Sequence, residues 1–223
     1  DRSEDPKQRK EADDLVQLLT PIVKSYLSEI GHDTAQMAVQ VYGGHGYIQD
    51  NGVEQYARDA RIAMIYEGAN GIQALDLVGR KLGAHTGRYL RGFFHPVQAF
   101  IDAHVEDPQL AQIVPPLAKA FGRLQRATAY IAESGLNDPD EAAAAATDYL
   151  RLFGLTAFGY VWARAAVVAC RALTDKGAAN PLYGDKLATA RFFAQRVLPQ
   201  SSAAFSALMA GGASIMEFRD EGF

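Results

Sequence analysis

The residues best suited to chemistry lie in one stretch, Gln40 to Leu82, which reads QVYGGHGYIQDNGVEQYARDARIAMIYEGANGIQALDLVGRKL. Glu67 follows Met64-Ile65-Tyr66 and precedes Gly68-Ala69-Asn70, a turn that opens a helix. A carboxylate beside apolar side chains loses hydration, which makes it a stronger base, while the start of the next helix favours its charge. A free glutamate, with a pKa of about 4.3, is a feeble base; tuning one to about 6–7 takes roughly 3 kcal/mol, which desolvation by a bound apolar cofactor and substrate could supply. The same residue could instead cap the following helix or pair with Arg61, and spacing alone leaves these roles open.

Gly43-Gly44-His45-Gly46 interrupts two helical patterns at a point where backbone could approach a ligand. It lacks the preceding strand and the GxGxxG spacing of a dinucleotide fingerprint, so by itself it reads as a helix connection. His32 and His45 have no partner at metal-ligand spacing and no HxxxH or Cys/His cluster occurs, so no metal site is expected. Arg58, Asp59 and Arg61 read as a solvated face or an ion pair. Tyr149, Phe153, Phe158, Tyr160 and Trp162 read as core, and Cys170, after Val167-Val168-Ala169, as packing rather than nucleophile.

The elements that must position these residues are helical. Apolar residues at Ala12, Leu15, Val16, Leu19, Ile22, Val23, Tyr26, Leu27 and Ile30 recur by three and four. Pro21 lacks an N–H, so this helix is expected to kink there or to restart with Thr20 as its N-cap. Asp33 with Gln36 suggests a capping pair for a second helix through Tyr42, stopped by Gly43-Gly44 and followed by a loop to Gly52. Val53 to about Ile65 reads as a third helix. Asn70 with Gln73 offers a capping pair for a fourth, carrying Ile72, Leu75, Val78 and Leu82. The pattern loosens between Gly83 and Pro96, which divides the chain into domains at residues 1–90 and 91–223. Three further helical stretches run from about Gln109 to Ser134 with a break at Pro115-Pro116, from Asp140 to Thr174, and from Leu182 to Met209. No period-2 alternation occurs, so the fold is expected to be all-α: a helical bundle followed by a second, antiparallel helical bundle.

With 223 residues, 22 Lys and Arg against 26 Asp and Glu, and 48% hydrophobic residues, the chain can close one core or two small ones. A single Cys excludes an intrachain disulfide framework and points to a reducing, cytoplasmic compartment. The net charge of −4 with scattered Lys and Arg gives no stripe for nucleic acid. No unbroken apolar run reaches the ~18 residues of a spanning helix, and the first residues are too polar for a signal peptide, so neither is expected. A chain that begins at Asp1 without Met reads as a piece of something longer.

Three linked segments, Gln40-Val41-Tyr42-Gly43-Gly44-His45-Gly46-Tyr47, Arg58-Asp59-Ala60-Arg61-Ile62 and Ile65-Tyr66-Glu67-Gly68, together resemble the C-terminal helical domain of flavin-dependent acyl-CoA dehydrogenases. The remainder resembles the extra C-terminal segment of a bacterial subfamily that includes the 3-methylmercaptopropionyl-CoA dehydrogenases. The segments that carry this are Leu136-Asn137-Asp138-Pro139-Asp140-Glu141, Tyr149-Leu150-Arg151-Leu152-Phe153-Gly154-Leu155 and Lys186-Leu187-Ala188-Thr189-Ala190-Arg191-Phe192-Phe193. The resemblance covers essentially the whole chain but only the C-terminal part of such an enzyme.

It implies a flavoenzyme that desaturates an acyl-CoA to the trans-2-enoyl-CoA. Glu67 matches the base that removes the α-proton while FAD accepts the β-hydride, and its backbone N–H matches the donor to the thioester carbonyl. Tyr66 and Gly68 match positions flanking the acyl chain. Gln40, Gly43 and Gly44 match the segment that contacts the FAD of a neighbouring subunit. The sequence departs from the family at Ala69, usually Thr, and at Gly71, often polar, so no flavin contact is implied from those two. The resemblance further implies an electron-transfer flavoprotein as partner and a homodimer. The chain alone, lacking the rest of the enzyme, is expected to hold no FAD and to be inactive. An acyl-CoA oxidase, or a non-catalytic helical assembly module, are the alternatives.

Overall fold

Helical periodicity without alternation yields helices and nothing else: among residues 3–176, 180–218 and 222, which the computed structural model describes, every regular element is helical. The chain divides into two compact units, Asp1–Tyr89 and Leu90–Phe223.

The first unit is built on α1, Pro6–Tyr42, 37 residues long. Asp5 caps it by accepting from Lys7 N at 2.9 Å, with Pro6 in the first turn, where a missing N–H costs nothing. The helix does not restart at Pro21. Thr20 Oγ1 donates back to Val16 O at 2.7 Å, so the hydroxyl is satisfied in mid-helix and cannot cap a new one. Nor does α1 end near Gly31. It runs through the Asp33–Gln36 pair to Tyr42, because its two halves pack on later helices, and that packing outweighs the ~1 kcal/mol that glycine costs a helix. Leu18, Ile22 and Tyr26 form its buried face, with Asp14 and Ser25.

Gly43, at φ 60°, turns the chain out of α1. The expected loop is partly wound, into α2 (Gly44–Tyr47) and a 3-10 turn at Gln49–Asn51, before α3 (Val53–Ile62). The fourth helix, α4 (Asn70–Asp76), continues as a π-turn, Leu77–Lys81. Its N-cap is Ala69, with no side-chain cap bond, so the expected Asn70–Gln73 capping pair is absent. Both side chains are engaged elsewhere, as described below.

In α5 (Ala84–His104), His85, Thr86 and Gly87 are left-handed, at φ 50°, 57° and 76°, and the helix resumes beyond them with Pro96 inside it. Asp14 and Arg88, both in the first unit, form a two-pronged ion pair, Nε to Oδ2 at 2.6 Å and a second nitrogen to Oδ1 at 2.9 Å.

The second unit surrounds α7 (Pro139–Lys176), which packs on α6 (Val114–Asn137), α8 (Pro181–Phe192) and α9 (Ser201–Leu208). Pro115 and Pro116 do not break α6; they lie in its first turn. The stretch from Leu182 to Met209 is not one helix. A π-turn, Phe193–Val197, and a 3-10 turn, Leu198–Gln200, separate α8 from α9, because Pro199 has no N–H to offer a preceding carbonyl. The core joins Leu117, Phe121 and Leu124 of α6 to Tyr149, Leu152, Phe153 and Leu155 of α7. Phe93 packs tilted on Phe153, ring centroids 4.9 Å apart, and the buried Tyr149 hydroxyl pairs with Thr128 Oγ1 at 2.7 Å. By length and composition α7 could cross a membrane; half of its apolar window is buried between its neighbours, the environment of a core helix.

Candidate functional site

The turn between α3 and α4 holds a non-glycine residue in left-handed backbone, as the His85–Gly87 stretch also does. Glu67 has φ 56° and Gly68 φ 85°. A left-handed residue with a Cβ is strained by roughly 1–2 kcal/mol, and such strain persists only where neighbours over-determine it. Here the neighbours are named. Gln73 Nε2 donates to Glu67 O at 3.1 Å, and Lys24 Nζ donates to Gly68 O at 2.7 Å. Asn70 reaches α1 instead of capping α4: its Nδ2 donates to Ser28 Oγ and Glu29 Oε1, both at 3.1 Å, and its Oδ1 accepts from Lys24 Nζ at 2.9 Å. Glycine at 68 is required by its φ; a Cβ there would stand 2.8 Å from Gln73 Nε2, the mobile end of a side chain, and would displace the bond that Gln73 makes to Glu67 O.

Against this clamp the Glu67 side chain stands apart. It is exposed, and among the described residues nothing bonds to its carboxylate or to its backbone N–H. Neither plainer role holds: α4 has no side-chain cap, and Arg61 donates to Met64 Sδ at 3.6 Å rather than to Glu67. The desolvation expected from Met64-Ile65-Tyr66 is not supplied by the chain itself, since Ile62, Ile65, Tyr66 and Ile72 are exposed too. They form an apolar surround with nothing over it.

Gln40, Gly43 and Gly44 lie elsewhere. Gln40 is exposed in the last turn of α1, and its carbonyl accepts from Gly43 N at 3.1 Å. The Glu67 turn is anchored at Ser25–Glu29, some fifteen residues back along the helix, or about 22 Å at 1.5 Å per residue. The structure therefore does not bring the two groups together within one chain. Gly43 needs its positive φ, but Gly44 needs neither an unusual φ nor space, with nothing within 4 Å of a Cβ. The glycine fixed by packing is Gly46, which the sequence reading passed over: its Cβ would stand 2.5 Å from Val39 O. A cleft of about 690 Å3 opens beside this corner, lined by Gln36, Val39, Tyr47, Gln49, Gln55 and Arg58.

Among the described residues no three His, Cys, Asp or Glu gather where a metal could sit. Asp59 accepts from Gln55 Nε2 at 2.7 Å, and no ion pair joins it to Arg58 or Arg61. The sequence pattern offered Asn70 and Gln73 only as a capping pair and Lys24 no role at all. Their roles depend on contacts between elements, although three polar residues, Lys24, Ser25 and Ser28, interrupting the apolar pattern of α1 were a usable signal.

Residues 7–82 match the family described as "Acyl-CoA dehydrogenase, C-terminal domain", and residues 93–219 that described as "Acetyl-CoA dehydrogenase C-terminal like". The chain is 36% identical over 209 residues to a 3-methylmercaptopropionyl-CoA dehydrogenase of Ruegeria pomeroyi, covering 93% of this chain and 35% of that protein. It is 31% identical to the broad-specificity linear acyl-CoA dehydrogenase FadE5 of Mycobacterium tuberculosis, covering 92% and 35%. The chain thus spans about a third of the length of these relatives. Its fold matches Caenorhabditis elegans ACDH-11, solved in complex with C11-CoA, with a TM-score of 0.64 at 21% identity, over 83% of this chain and 29% of that one.

Proposed function

The chain belongs to the acyl-CoA dehydrogenase family, and on that premise we propose that it is the C-terminal part of an FAD-dependent acyl-CoA dehydrogenase in which Glu67 removes the α-proton of the thioester. In this reading residues 1–90 belong to the catalytic helical domain and residues 91–223 form an added one. The observation that carries it is the Glu67 turn: strained backbone, the carbonyls of Glu67 and Gly68 clamped, and a carboxylate left unbonded amid exposed apolar side chains.

The clamp by Gln73 and Lys24 fixes the backbone from which the Glu67 side chain projects, and with it the position of the Glu67 N–H. Its unengaged N–H is available to the thioester carbonyl, where negative charge develops. Tyr66 and Gly68 flank the acyl chain. A substrate covering Ile65 and Tyr66 strips water from Glu67, the condition under which a glutamate can take a proton from carbon. FAD, when bound, supplies the acceptor for the hydride that leaves the β-carbon, which makes the product the trans-2-enoyl-CoA.

Gln40, Gly43 and Gly44 suit a cofactor contact, because open space stands where the Cβ of either glycine would be, and Gly44 is not required by the fold. Ala69 has no hydroxyl to add. Since this segment lies about 22 Å along α1 from the Glu67 turn, the two serve different sites of a symmetric assembly more readily than one. Support for assembly comes from α1 itself. Val16, Val23, Ile30 and Met37 recur every seven residues and are exposed, with Thr20, Leu27, Thr34 and Val41 each four residues on. That is the seam of a helix pair. The hydroxyls of Thr20 and Thr34 are satisfied on Val16 O and Ile30 O, so they do not oppose burial.

The test uses the full-length protein carrying this chain. Anaerobic addition of acyl-CoA should bleach bound flavin, and reoxidation should need an electron-transfer flavoprotein. Peroxide formation at a comparable rate would make it an oxidase, and unbleached flavin would leave an assembly module. The chain by itself should hold no FAD through purification, because a few backbone contacts do not offset the several kcal/mol of freedom lost on binding.

A further inference from the structure

Lys119 and Arg123 stand one turn apart on α6, and Arg196 lies in the π-turn after α8; all three line one cleft of about 500 Å3 in the second unit. Lys119 and Arg196 are exposed and Arg123 is half-buried. Like charges one turn apart on a helix repel each other. Desolvation of a guanidinium is offset most fully by an anion beside it. Among the described residues no carboxylate pairs with any of the three, although acids outnumber bases in the chain, 26 to 22. Arg123 makes one bond, from a terminal nitrogen to the hydroxyl of buried Ser201 at 3.3 Å, which leaves most of its planar donor set unused.

The rest of the lining indicates what those donors face. Pro116, Leu198 and Pro199 provide an apolar wall, and Ser202 and Gln195 add uncharged polar groups. Guanidinium groups match the oxygens of phosphate in pairs, and an ammonium adds a point charge. A volume near 500 Å3 lies in the range of small-molecule sites and exceeds what one inorganic ion fills. We propose that this cleft binds an organic phosphate, with its anionic oxygens among Lys119, Arg123 and Arg196 and its carbon body against Pro116, Leu198 and Pro199. The site is independent of the Glu67 reading, since it shares no residue with it.

The experiment compares the full-length protein with its Lys119→Gln, Arg196→Gln double variant, titrated at low salt with inorganic pyrophosphate and, separately, with phosphatidylcholine vesicles containing phosphatidic acid. Neither side chain bonds to anything among the described residues, so without phosphate the variant should melt at the same temperature or higher, because a repulsion is relieved. Pyrophosphate should bind saturably and raise the melting temperature of the parent. In the variant, binding should be at least about tenfold weaker, a loss near 1.4 kcal/mol. Variant-sensitive binding to vesicles alone would identify the phosphate as a lipid headgroup. Absence of saturable binding to either probe up to about 10 mM phosphate, or equal binding by parent and variant, overturns the proposal. Arg196→Gln alone repeats the comparison if the double variant does not fold.

Discussion

The left-handed backbone of Glu67 is held through two successive carbonyls, its own by Gln73 and that of Gly68 by Lys24, while its side chain makes no bond that would help maintain it. Strain that surrounding groups maintain and the strained residue's own side chain does not offset is expected where geometry serves something outside the chain. Replacing Glu67 with Asn, which tolerates left-handed φ better, should therefore leave the melting temperature unchanged or raise it, by up to about 1 kcal/mol of stability. Thermal unfolding of Glu67→Asn checks this, and a marked destabilisation would mean that the carboxylate supports the fold.

At the scale of elements, the corner after α1 separates two kinds of glycine. Gly46→Ala drives a Cβ against Val39 O and should cost about 1–3 kcal/mol or more, whereas Gly44→Ala meets nothing and should be neutral or slightly stabilising. Loss of flavin by Gly44→Ala at full stability would identify its bare backbone as a contact surface; retention of flavin would remove it from the site. The Asp14–Arg88 pair ties the turn before Leu90 back to α1. Its hydrogen bond to Arg88 holds the Asp14 carboxyl below the usual range, against the opposing effect of burial. A folded pKa below the unfolded one, near 3.9, stabilises fully above about pH 4 and is lost as pH falls through the folded value. The melting-temperature gap between parent and Asp14→Asn should accordingly be widest above about pH 4 and close as the pH falls below it.

Helical character and the stops at Gly43 and near Gly83–Gly87 were legible in the sequence because local patterns decide them. Continuity of α1 through Pro21 and Gly31 was not, because packing along its length outweighs local breakers. Asn70 read as a cap partner because its type and spacing fit, yet Lys24, Ser28 and Glu29, more than forty residues earlier, offer its amide more partners.

For the whole molecule, the proposed function has the exposed surround of Glu67 covered by ligand and neighbouring domains and the seven-residue stripe on α1 by another copy of the chain. Val23→Lys with Ile30→Lys should convert a dimeric species to monomer in sedimentation, and an unchanged sedimentation coefficient would place the interface elsewhere. In the proposed function this arrangement brings a dry substrate to one carboxylate. The most direct measurement is the rate of anaerobic flavin bleaching by acyl-CoA in the full-length protein with Glu67→Gln, which keeps the shape and removes the base. Flavin should stay bound while bleaching slows by about 10²–10⁴-fold; bleaching at the parent rate would contradict the assignment of Glu67 as the base.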